Sequence, residues 1–446
     1  MGSTDKSIPW QERVAKKQLQ CAEKIPSTWK LSEAFWSNFQ TPLADNKTDL
    51  VQEQVIRKSG ILTDREFEIT ESYTVSRLLS ALATGALTSA EVTLAYCKRA
   101  AVAQQLVNCL SETMFDEAQK RAEHLDSLRA QGQLAGPLHG LPISIKDNFH
   151  HKGTEATIGM LSFLGEVSSE SSPLVQLLLK LGAVIYVKTN VPQTMMTTDS
   201  HNNVFGRTLN PRNTMLGPGG SSGGEGALIT LRGSPLGVGT DIGEAQGHQI
   251  IPLDSQECRI MEANEIAFAI FSLDPGARNH LEASGDPPVP ALLHIGQQGE
   301  KLRKYAKSTL PDVSSLDRMG QLAALNTLRA GLRESYRKLW LKHDLDICLS
   351  PPAQSTAVQH DTFGIPPYTA FLNCLDFPSC ILPFGHVGEE DAGQTFALRD
   401  DQVGPEYNFQ VLNGAPCSVQ LFTPNMRDEE CLQMAKQIDQ CLRNRD

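Results

Sequence analysis

The sequence predicts an α/β fold in which helices cover a sheet, and two observations carry that expectation. Helical and strand signatures alternate between Thr88 and Asn190, and the strand candidates are short continuous apolar runs, the pattern of strands buried on both faces. With 446 residues, 40% hydrophobic and 20% charged, the chain has material for one large domain or two ordinary ones.

Residues 1–75 are polar and irregular. An amphipathic "QERVAKKQLQCAEKI" and a proline-punctuated "STWKLSEAFWSNFQTPL" make this stretch a helical lead-in arm without visible chemistry. The next segment, "TSAEVTLAYCKRAAVAQQ", opens with the Thr88/Glu91 pair of a capping box ahead of an apolar stripe at helical spacing, and "FDEAQKRAEHLDSLRAQG" reads as a second helix. In "GPLHGLPISIKDNF", Gly and Pro bracket a β-branched run from Leu141 to Ile145, a buried strand. "SSPLVQLLLKLGAVIYVKTN" follows, with a serine cap, Pro173 at the first helical position, Gly182 as the helix stop and "AVIYV" as a strand. After Pro252 the pattern loosens to helices around Gln321–Lys342 and Asp428–Arg443, with an extended "DICLSPP" between them.

Composition excludes several functions. The net charge of -11, with no block of Lys or Arg, leaves no footprint for nucleic acid or an anionic membrane. The first twenty residues lack a signal-peptide core and no window reaches the roughly 18 apolar residues of a membrane span, so a cytoplasmic protein is expected. Ten cysteines without CxxC pairs or His-Cys ligand spacing read as reduced, mostly buried thiols, and no metal or organic cofactor is indicated.

Two stretches carry chemistry. In "GPGGSSGGEGALITL" a Gly/Ser run flows into a helix start, so its backbone N–H groups gather where an anion or oxyanion is stabilised. The run lacks the GK[ST] ending of a phosphate loop and completes no G-x-G-x-x-G, which disfavours nucleotide binding. The other is Lys146, at the end of an apolar strand. In isolation it is a solvated strand-end charge beside Asp147; only burial, which penalises the ammonium, makes such a lysine a general base.

Taken together, "GPLHGLPISIKDNFHHKGTEATIG", "VKTNVPQTMM" and "GPGGSSGGEGALITLRGSPLGVGTDIG", in that order, resemble the amidase signature family, and most closely its fungal acetamidase-like branch. Weaker similarity extends through "SGILTDREFEITE", "LDICLSPP", "FLNCLDFPSCILP" and "NGAPCSVQL". The resemblance implies a mixed sheet flanked by helices on both faces, spanning 76–446, and hydrolysis of linear carboxylic amides by a Ser-cisSer-Lys triad. It makes Lys146 the base and Ser221 the serine of the cis peptide bond, and puts Met195 in a segment lining the substrate site together with Ser221, Ile242, Gly243, Glu244 and Ala245. The expected partner is a small-molecule amide, with no nucleic acid; a homodimer stays open.

The family pattern continues T-D-I-G-G-S, with the nucleophile as its last residue. Here the chain reads Thr240-Asp241-Ile242-Gly243-Glu244-Ala245, so the nucleophile's place holds a methyl group and the glycine before it is a carboxylate. A Glu244 carboxylate pointing into the site would also repel a developing oxyanion. Beyond it the sequence passes to material resembling a much later family segment, an internal shortening of about one ordinary domain. Two explanations follow: a degenerate member that binds without turnover, or a sequence lacking an internal segment. Rescue by Ser222, Ser234, Ser255, Cys258 or His248 is disfavoured.

Overall fold

The structure is a computed structural model that describes residues 8–239, 253, 257–305, 308, 310–353, 355–392, 404 and 407–443. Residues 242–245 therefore lie outside the described residues. The chain forms two compact units: 1–240 with 278–293 and 359–361, and the remainder.

The first unit opens with helix α1 (Trp10–Glu23), whose buried residues are Val14 and Lys17. Lys17 is not solvated: its Nζ donates to Glu112 Oε1 at 2.6 Å and pairs with Glu155 at 3.0 Å, while Lys24 takes Glu112 Oε2 at 2.8 Å. These ion pairs tie the helix to the sheet. α2 (Asp64–Ser72) carries a complete capping box, Thr63 with Glu66, and α3 (Val75–Thr84) is capped by Thr74.

Helix α4 (Ser89–Val107) begins where its sequence signal places it, with the Glu91 amide donating to Thr88 Oγ1 at 3.1 Å. The other half of the expected box is taken elsewhere: Glu91's carboxylate accepts from Arg65 Nε at 2.8 Å, a charge-assisted bond. Thr88→Ala is expected to cost about 1 kcal/mol, the usual worth of one such cap, read as a lower urea midpoint at unchanged slope.

Strand β1 (Leu110–Thr113), helix α5 (Phe115–Ala130), strand β2 (Pro142–Lys146), helix α6 (Pro173–Lys180), strand β3 (Val184–Thr189), helix α7 (Gly223–Thr230) and the two-residue β4 (Gly237–Val238) follow in order. Their sheet runs β1-β3-β2-β4, with β1 antiparallel to β3 and the other pairs parallel, so it is mixed. Every residue of β2 and β3 is buried, which requires cover on both faces. Pro173 opens α6, and Gly182 ends its turn at φ +96°, a conformation that L side chains rarely adopt. A Cβ there would also sit 2.8 Å from the backbone of His139.

The second unit is helical with its own antiparallel sheet. α8 (Ile260–Leu273), α9 (Arg318–His343), β5 (Cys348–Ser350), α10 (Pro367–Leu375), β6 (Ser379–His386), β7 (Pro416–Phe422) and α11 (Asp428–Arg443) build it, with strand order β5-β7-β6. α8, α9 and α10 share a core of Ile266, Leu332, Trp340 and Phe371, closed by Phe422 from β7. The expected helices and the extended "DICLSPP" fall in this unit. Nine cysteines among the described residues are free thiols, five of them buried. No helix among the described residues is long and apolar enough to cross a membrane.

Candidate active site

The site grows from β2. Strand geometry sends Ser144 and Lys146 to one face of the sheet, and the parallel register sets Lys146 beside Thr189 of β3. Lys146 is fully buried, so the solvated strand-end reading of this lysine does not hold. Its Nζ donates to Ser221 Oγ at 2.6 Å. Asp147 turns elsewhere: it accepts from Ser111 Oγ at 2.6 Å, Thr157 Oγ1 at 3.1 Å and the Ile158 amide at 2.8 Å. It is the first residue of the turn that follows β2, one position past Lys146.

Ser221 lies in the Gly/Ser run before α7, and the Gly220–Ser221 peptide bond is cis. The run is wedged against two backbone segments. A Cβ on Gly220 would meet Thr197 O at 2.6 Å, and one on Gly224 would meet the N and O of Asn190 at 2.5 Å. Ser200 Oγ donates to Gly219 O at 3.0 Å and fixes the start of the loop. Met195, half-buried at φ +59°, ends the turn Gln193–Met195 that leads into Thr197, which brings its segment to the loop carrying Ser221. Ile242, Gly243, Glu244 and Ala245 lie outside the described residues.

Sequence reasoning treated Glu225 only as a helix start. In the fold it is buried: Oε2 accepts from Ser144 Oγ at 2.7 Å and Oε1 from Thr189 Oγ1 at 3.0 Å. Burial pushes its carboxyl up to about 7, against the opposing pull of those two hydroxyls and of Lys146. The signal was present in the strand "PISIK", where two polar residues two apart on an otherwise apolar strand need a polar partner on that face.

Among the described residues, no group of three His, Cys, Asp or Glu is arranged to hold a metal ion. What the Lys146–Ser221 pair offers is proton movement between an amine and a hydroxyl, on a helix-covered mixed sheet.

The model of the family described as Amidase matches residues 91–245 and 298–432, and the chain belongs to this family. It is 31% identical to an amidase of Gibberella moniliformis, over 98% of this chain and 99% of the relative, and 30% identical to an acetamidase of Emericella nidulans, over 98% of each. Among solved structures it is similar to fatty acid amide hydrolase, with a TM-score of 0.77 over 99% of this chain and 97% of that one at 24% identity. The alignment with the Gibberella amidase runs 541 residues while taking in 98% of a 446-residue chain, so about 100 positions of the relative have no counterpart here. The family match breaks off at Ala245 and resumes at Gln298.

Proposed function

We propose that Lys146 and Ser221 are the base and relay of a Ser-cisSer-Lys amide hydrolase acting on a linear carboxylic amide, and that hydrolysis is impaired in this chain because Ala245 stands in the nucleophile's place. The observation that carries the reading is the 2.6 Å bond between a fully buried Lys146 Nζ and Ser221 Oγ. A lysine kept from water is penalised in its charged form, which favours the neutral amine a base needs. In such a site the amine takes the proton of Ser221 and Ser221 takes that of the attacking serine. The acyl group is then held on that serine until water releases carboxylate, after ammonia has left. Ala245 has no group that can attack a carbonyl, and Glu244 puts a carboxylate where the family pattern has a glycine. The acetamidase relative supports a small linear amide as the substrate class.

The second reading, favoured by Ala245 itself, is a binding or regulatory protein on the same scaffold. A fluorophosphonate that labels activated serines separates the two. The unmodified chain is expected to stay unlabelled and to release no ammonia from acetamide. The chain carrying Glu244→Gly with Ala245→Ser, which restores the D-I-G-G-S pattern, is expected to label, and to lose labelling on adding Lys146→Ala. Labelling of the unmodified chain would overturn the impairment; labelling of the restored chain that persists without Lys146 would overturn its role as base.

A further inference from the structure

We propose that Glu225 is a positioning residue, the buried counter-charge that holds Lys146 in its pose toward Ser221 and stabilises its ammonium when it has taken a proton. The inference rests on the reading of Lys146 as base, but the geometry behind it is independent of turnover.

Two hydroxyls of one sheet face hold the Glu225 carboxylate. Ser144 precedes Lys146 by two residues on β2, and Thr189 is the cross-strand neighbour of Lys146 on β3; each gives its hydroxyl to a different oxygen of Glu225. Both oxygens are thereby fixed, and the carboxylate lies where the charge of Lys146 acts on it. From the other elements packed around it, Tyr186 of β3 and Cys109 ahead of β1 also feel its charge. Lys146, on the same sheet face as Ser144 and Thr189, is the amine of that face that turns into a cation when it takes a proton.

The covalent layout strengthens the case. Glu225 follows Ser221 by four residues, so one short segment supplies both the hydroxyl that Lys146 touches and the carboxylate beside it. Movement of α7 would shift both together. A carboxylate aligned with a base in this way favours the protonated base, the state reached in the acylation step, without itself touching substrate. Gly237 of β4 closes the far side, since a Cβ there would lie 2.2 Å from Glu225 Oε2 and displace the carboxylate.

The test reads Glu225 directly. The carboxyl C=O stretch of the full chain is followed by infrared spectroscopy through a pH titration, with the Glu225 band assigned by its loss in E225Q. The midpoint is expected near 7 in the unmodified chain. With Lys146→Met it is expected to rise by about one unit, a tenfold gain in proton affinity, because the amine whose protonated form favours the carboxylate is gone. Coupling of this kind is reciprocal, so the same factor acts on the protonation of Lys146. Lys146→Gln serves as the second variant, and a cooperative urea transition establishes that each is folded. An unmoved midpoint in a folded variant overturns the proposal, since a merely structural carboxylate would not respond. Because this titration needs no nucleophile, it can succeed where fluorophosphonate labelling of the restored chain fails, and the converse result is equally visible.

Discussion

Gly224→Ala is expected to destabilise the first unit by roughly 3 kcal/mol or more, at the upper end for overpacking, seen as a large drop in urea midpoint or as loss of soluble protein. The added methyl would sit 2.5 Å from both the N and O of Asn190 and 2.7 Å from Cys109 O. None of these atoms belongs to a flexible side chain that can swing away. The Asn190 amide already donates to Cys109 O, and Asn190 O accepts from the Gly224 amide, so the methyl would part a backbone junction that joins α7 to the ends of β3 and β1. By contrast, Gly226 two residues on has its nearest neighbour at 3.8 Å, and Gly226→Ala is the matched control expected to be tolerated. Equal stability of the two variants would mean that the junction is looser than described here.

The second large effect is a pH dependence. Glu225 has its carboxyl raised to about 7 in the folded chain, whereas an unfolded glutamate titrates near 4.3. The folded state therefore keeps a proton that the unfolded state has released. By linkage, the contribution of this group to stability is full below about pH 4, declines as pH rises, and is lost above about pH 7. The difference amounts to about 3 to 4 kcal/mol at 1.36 kcal/mol per pH unit. E225Q cannot ionise, so its stability relative to the unmodified chain should grow by about that amount between pH 4.5 and pH 7.5, measured by urea unfolding across the range. Parallel stability curves would show that Glu225 ionises as freely in the fold as in the unfolded chain.

Much of the scaffold was legible because its signals are local. Thr88 before Glu91, Pro173 at a helix start and Gly182 at its end are caps read within a few residues, and β2 and β3 are continuous apolar runs. The candidate site was legible only in part. Lys146 and Ser221 stood out through long motifs, but the burial of the lysine and its meeting with a hydroxyl 75 positions away are properties of the fold. Asp147 escaped for the same reason: its partners Ser111, Thr157 and Ile158 come from other parts of the chain. Glu225 was hidden because a glutamate in the first turn of a helix has an ordinary local explanation, complementing the helix dipole, and only the fold shows that it faces inward. Ile242 to Ala245, whose last two residues depart from the D-I-G-G-S pattern, lie beyond the described residues.

The lysine clamp of helix α1 also orders events in time. Lys17 is made 95 residues before Glu112, and Glu155 comes later still. At roughly 5–20 residues per second of synthesis, that ammonium spends on the order of 5 to 20 seconds in water before its first carboxylate emerges. The N-terminal helix is thus fastened by this clamp only after the strand it pairs with has been made.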